Sequence, residues 1–219
     1  VGTPRFPLSR SGFARLKRLQ AAAGLVFASY VLVHLGNAAA GLAGPGAAAA
    51  WLAQIRRVAG TPAGWLAWIV LPIAIHAAAA AAVILQERAM RRRAIEALRR
   101  TRPGAAPRFG VRALSARLHR WSGFALAPLL MIHVLAMRPG TGGYARAARL
   151  VAESPFGARA GLAALAACAS YHLGYGVFMA LVNLGVLAPG RPRRWGRAGG
   201  AAIGIAAAAA AAAGIAAIG

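Results

Sequence analysis

Five mostly apolar stretches of about 20 residues or more, separated by arginine clusters and proline–glycine breaks, constrain this chain more than any other feature. Hydrocarbon offers no water to a backbone amide, so such a stretch crosses it only as a helix whose hydrogen bonds close internally. The expected spans are about 19–43, 62–86, 118–137, 160–188 and 198–219. The fold class that follows is all-α: an integral membrane bundle of five transmembrane helices. It forms one membrane domain over residues 19–219, behind a basic leader at residues 1–18. Composition agrees. Hydrophobic residues are 59% of the 219, and charged residues are 13%, about half the share of a soluble domain.

The charge is one-sided: 26 Lys+Arg against 3 Asp+Glu. In a soluble chain that balance points to nucleic acid. Here the arginines fall between apolar stretches, and no basic stripe alternates with aromatics, so nucleic acid is not an expected partner. The lipid bilayer is, with basic loops held at its anionic surface. Twenty of the basic residues fall on the side of the leader and six on the other. The positive-inside rule then puts the N-terminus in the cytoplasm and the C-terminus outside. Full length, and with no small-residue cleavage pattern behind it, the first apolar stretch is read as a retained helix. The lone Cys168 excludes a disulfide framework and a thiolate metal site.

The breaks are legible. Gly44, Pro45 and Gly46 end the first span. Residues 47–60 read as a short interfacial helix with Trp51 at headgroup depth. Pro72, four residues before His76, is expected to kink the second span and free a carbonyl. The second helix is expected to run past the bilayer through an arginine-rich segment, then turn at Pro103, Gly104 and Pro107. Arg138, Pro139 and Gly140 stop the third span, and residues 138–158 form a glycine-rich loop. The run from Pro189 to Arg194 ends the fourth. In the fifth, Gly200 and Gly204 are four apart, a spacing that favours close helix contact.

Four of these stretches each carry one histidine: His34, His76, His133 and His172. A polar, ionisable ring in a membrane span is costly and marks a functional site. For one histidine an interhelical hydrogen bond is explanation enough; four on separate helices point to two centres with two ligands each. Depth sorts them. His34 lies about seven residues, roughly 10 Å, from the outer end of its span, and His133 five residues, roughly 8 Å, from the same side. His76 lies about twelve residues, roughly 18 Å, from Arg88 on the inner side. The expected pairs are therefore His34 with His133 and, partly by elimination, His76 with His172. Zinc asks for three or four protein ligands. Two opposed imidazoles suit haem iron, which brings four nitrogens of its own, and helix bundles commonly build cofactor sites this way. Gly36, Ala77–Ala82, Gly174 and Gly176 are small neighbours that could make room for a porphyrin. His119 reads as an interfacial residue; as a functional one it could meet a haem propionate or a quinone, and Arg120 could pair with a propionate. Tyr30, Tyr171 and Tyr175 read as packing aromatics whose hydroxyls a quinone could also use.

The segments SYVLVHLGN around His34, LPIAIHA around His76, RLHRWSGFALAPLLMIHV leading to His133 and ASYHLGYGVFMALVN around His172 resemble a known family. It is the membrane cytochrome b subunit of succinate dehydrogenases and fumarate reductases, in the single-chain, two-haem form. His119-Arg120-Trp121-Ser122-Gly123 is similar to the His-Arg-x-Ser/Thr-Gly element of that superfamily. The resemblance covers all five expected spans. It implies two haem b groups ligated by His34, His76, His133 and His172, and a quinone in the membrane. It implies a flavoprotein subunit and an iron–sulfur subunit docked on the cytoplasmic face. The chain would then be a non-dehydrogenase subunit of a succinate:quinone oxidoreductase, multi-pass in a bacterial cytoplasmic membrane; a higher oligomer is compatible with this. One departure is that no acidic residue falls inside an expected span, which argues against a carboxylate-based transmembrane proton route. Two other functions share the histidine pattern: a cytochrome b subunit of a hydrogenase or formate dehydrogenase, and a haem-binding sensor or anchor without quinone turnover. The cytoplasmic basic face disfavours the first, because those partners usually sit outside.

Overall fold

A computed structural model describes residues 9–101, 111–136, 149, 153, 155–187 and 191–218. Among the described residues the chain is helical throughout, without a strand. Six helices follow in order: α1 (Arg10–Ala40), α2 (Pro45–Ala59), α3 (Pro62–Thr101), α4 (Val111–Ala136), α5 (Pro155–Asn183) and α6 (Arg191–Ile218). Residues 1–8, the turn at Pro103, Gly104 and Pro107, the stop at Arg138, Pro139 and Gly140, most of loop 138–158, and Pro189 and Gly190 lie outside the described residues.

Local chemistry sets the helix ends. Ser9 caps α1, its Oγ accepting from the Gly12 amide at 3.1 Å. A 3₁₀ turn over Gly41–Ala43 closes that helix. Gly44 then takes φ 110°, where a Cβ is strained, and Pro45 begins α2. Thr61 caps α3, accepting from the Gly64 amide at 3.0 Å, with Pro62 in the first turn. Within α3, Leu66–Val70 form a π turn just ahead of Pro72. Proline has no N–H and crowds the carbonyl four residues back, so a local widening of the helix is a natural response.

Three helical stretches are long and apolar enough to cross a membrane: Ser11–Asn37, Pro62–Thr101 and Arg159–Asn183. Of the five expected spans, the other two are less apolar or shorter. α4 carries Arg117, His119 and Arg120 in its first half, and the apolar part of α6 is the shorter Arg197–Ala212. Only 17%, 17% and 28% of the three apolar windows is buried inside the protein. Leu32, Leu71, Phe124, Ile132 and Val134 face outward. An outer surface this apolar suits lipid rather than water.

Four helices pack as a square, with α2 against α1, and α6 along one side. α1 lies against α3 and α5, and α4 lies against α5. α6 covers α5 and α1. The core is small: Ala28, Leu173 and Ala207, with Val31, Leu35, Val177 and Ile203 against them, where α1, α5 and α6 meet. The α5–α6 crossing is close because glycines line it. A Cβ on Gly200 would lie 2.5 Å from the Gly174 carbonyl oxygen, and one on Gly204 2.9 Å from the Ser170 carbonyl oxygen. The fourth side of the square, between α3 and α4, is bridged at one end by charge. Glu87 takes Lys17 of α1 on one oxygen and Arg120 of α4 on the other, each at 3.1 Å.

Candidate functional site

Two histidine pairs cross the diagonals of this square. His34 on α1 faces His133 on α4, with ring centroids 6.0 Å apart and planes at 75°. His76 on α3 faces His172 on α5, at 6.3 Å and 81°. All four residues are half-buried. Neither α1 and α4 nor α3 and α5 make an extended close contact, so the imidazoles reach across space that the backbones leave open. The first is the grouping that depth along the spans suggested, and the second the one that followed partly by elimination.

The rings of the His76–His172 pair are held from behind. The His76 Nδ1 lies 2.9 Å from the Gln20 carbonyl oxygen of α1. A carbonyl only accepts, so that nitrogen carries the proton and Nε2 is left with its lone pair. The His172 Nδ1 lies 3.2 Å from the His119 carbonyl oxygen and 3.2 Å from the Ser122 Oγ. Ser122 donates to the same carbonyl at 2.8 Å, so its oxygen is free to accept. Metal-bound imidazoles commonly show this arrangement, with the second ring nitrogen donating to a carbonyl.

His119, expected at the interface, packs against the His76–His172 pair. Its ring stacks on His172 at 4.1 Å and 13° and leans on Tyr175 at 5.0 Å. Its Nδ1 is buried without a hydrogen-bond partner, a state that needs explanation in a folded protein. Arg120, a candidate propionate partner from sequence, is paired with Glu87. Tyr171 donates to the Ser115 carbonyl at 3.3 Å, as a packing aromatic with a satisfied hydroxyl would. Tyr30 stacks on His34 at 5.8 Å and meets the edge of Trp68 at 5.6 Å.

The small neighbours are not all where a porphyrin needs them. Gly36 makes room for the indole of Trp51: a Cβ there would lie 2.7 Å from Cζ2. Trp51 also donates from Nε1 to the Val33 carbonyl at 2.9 Å. Gly174 serves the α5–α6 crossing, and Gly176 faces His119. The glycines in contact with the paired histidines are Gly24, against His76, and Gly123, against His172. Neither glycine stands beside a paired histidine in the sequence, so proximity along the chain does not mark them as contacts. The signal was present, since each lies ten residues before an outer histidine on its own helix.

Among the described residues no three His, Cys, Asp or Glu side chains group to hold a metal ion. Each pair offers two nitrogens only, which suits a group bringing its own equatorial donors. Metal–imidazole bonds of about 2 Å, plus about 1.1 Å from nitrogen to ring centre on each side, put two coaxial ligand rings about 6 Å apart. The observed 6.0 and 6.3 Å match that figure. Ordinary edge-to-face packing of two rings covers the same range. What such packing leaves unexplained is the doubling: two facing pairs, each across a diagonal of the same square. Neither the family models, the curated proteins nor the solved structures compared with this chain gave a match.

Proposed function

We propose that this chain is a haem b-containing membrane anchor subunit of a succinate:quinone oxidoreductase. It passes electrons between an iron–sulfur subunit and a membrane quinone. The observation that carries the haem assignment is the pair of facing histidines on each diagonal, 6.0 and 6.3 Å apart. The dehydrogenase assignment rests on the sequence resemblance. In this reading five helices cross a bacterial cytoplasmic membrane, α2 lies outside the bundle's square, and the N-terminus and basic face are cytoplasmic. The flavoprotein and iron–sulfur subunits dock there.

Haem b, when bound, supplies one-electron transfer. The chain's own residues do the rest. His34 and His133 hold the outer group, and His76 and His172 the inner one. Gln20, His119 and Ser122 orient the inner imidazoles. His119, with its unsatisfied Nδ1 beside the inner pair, is placed to hydrogen-bond a polar edge of the bound group. Ten residues separate Gly24 from His34 and Gly123 from His133, so the two centres are about 15 Å apart in depth.

The test is a visible spectrum of the purified chain, reduced against oxidised, with haem extracted and counted. Two b-type haems per chain are expected, and His34→Ala or His133→Ala should each leave one. No haem at all, or one in the unaltered chain, rejects the four-ligand assignment. Near-perpendicular imidazole planes also predict a strongly anisotropic low-spin resonance from the oxidised protein. Copurification with its partner subunits should give succinate–quinone activity; a haem-loaded complex inactive with succinate and with fumarate would reject the dehydrogenase assignment alone.

A further inference from the structure

α1 and α4 carry the same register. Gln20, Gly24 and His34 are spaced as His119, Gly123 and His133 are: four residues, then ten. The parts do the same things. The first residue's carbonyl meets the Nδ1 of an inner histidine from another helix, at 2.9 Å for His76 and 3.2 Å for His172. The last residue faces its counterpart across the outer centre. The glycine lies one turn beyond the carbonyl. A helical side chain leans toward the N-terminus and covers the turn before its own Cα. A Cβ at position 24 would stand 2.7 Å from His76 Nδ1, and one at position 123 would stand 2.9 Å from His172 Cε1. Any residue but glycine would therefore cover the carbonyl that the imidazole uses.

We propose that Gly24 and Gly123 are positioning residues of the inner centre: each uncovers one helix carbonyl that takes the Nδ1–H of His76 or His172 and so leaves Nε2 unprotonated, the nitrogen that would hold the cofactor. The proposal deepens the haem reading above and rests on it for the identity of that cofactor. α1 and α4 then each do two jobs, ligating the outer group and cradling an inner ligand that belongs to α3 or α5. The device is confined to the inner centre. Among the described residues the rings of His34 and His133 make no hydrogen bond, and Gly36, the glycine nearest His34 in sequence, is occupied by Trp51.

The experiment uses the full chain in detergent with selectively ¹⁵N-labelled histidine, alongside Gly24→Ala, Gly123→Ala and, as a control, Gly36→Ala. Helix content is checked by circular dichroism. In the unaltered chain, stripped of haem, His76 and His172 should give the spectrum of the Nδ1–H tautomer. Gly24→Ala should abolish it for His76 and Gly123→Ala for His172. In the haem-loaded protein each of the two should lower haem from two per chain to one, or shift the potential and resonance of one haem only, while Gly36→Ala changes neither. A further His34→Ala change should then remove the signal that remains. An Nε2–H tautomer for either inner histidine in the unaltered chain overturns the proposal even if neither variant folds. So do folded alanine variants with unchanged tautomers, or with two unshifted haems. An unaltered chain that never binds haem rejects the functional reading instead, and the tautomer measurement still decides this one.

Discussion

Small residues in this protein divide by what fills the space they leave. Gly24 and Gly123 admit imidazoles, Gly36 admits an indole, and Gly174, Gly200 and Gly204 let two helices meet. The identity of the neighbour, not the glycine, decides the role. Gly36 illustrates the difference: placed two residues from His34, it reads as porphyrin space, yet its space holds Trp51. Gly36→Ala should therefore displace the indole, shift its fluorescence and leave haem content unchanged. Trp51→Phe keeps a ring but loses the bond to the Val33 carbonyl, and should cost about 1 kcal/mol of stability in a denaturation series. A loss of the outer haem in either variant would return Gly36 to the cofactor.

At the level of elements, the long α3 carries three constraints. Thr61 and Pro62 start it, a π turn precedes Pro72, and Glu87 ties it to α1 and α4. Trp68 adds a bond to α1, donating to the Ser29 Oγ at 2.8 Å. These contacts bracket His76 and keep its face turned toward α1. The Glu87 cluster is about two-thirds buried at each side chain, so its worth is modest, about 1 kcal/mol or less for each pair. Glu87→Gln should lower stability by less than about 2 kcal/mol and leave unchanged the haem content that the proposed function assigns. Because exposed pairs are screened, the unaltered protein should lose more stability than the variant when salt is raised. Equal salt responses would mean that the cluster contributes nothing measurable.

At the scale of the molecule, α6 brings no histidine and packs by proximity. Its glycines lie against Gly174 and Ser170 of α5, and Ala207 closes the core with Ala28 and Leu173. Gly200→Val would push a branched side chain into the Gly174 backbone and the Phe178 Cβ. It should cost about 1–3 kcal/mol and lower Tm, while the square of α1, α3, α4 and α5 keeps the haem content that the proposed function assigns to it. Loss of both haems on this substitution would show that α6 holds the square together rather than covering it.

Residue spacing alone determined the helical class, the order of the long apolar stretches and the grouping of His34 with His133 by depth, with His76 and His172 left to each other partly by elimination. These are one-dimensional properties: hydropathy sets helix length, and 1.5 Å per residue sets depth. The GxxxG-like spacing of Gly200 and Gly204 was legible for the same reason. Which helices are neighbours and which are diagonal was not, because that depends on how faces rotate about their axes once packed. Tertiary structure therefore decided that His119 turns inward against His172, that Arg120 meets Glu87, and that Gly36 belongs to Trp51. It also decided that a carbonyl at Gln20 and another at His119 lie open to an imidazole. The spacing of those cradles was written twice in the chain, but its meaning required a second helix brought within hydrogen-bond reach.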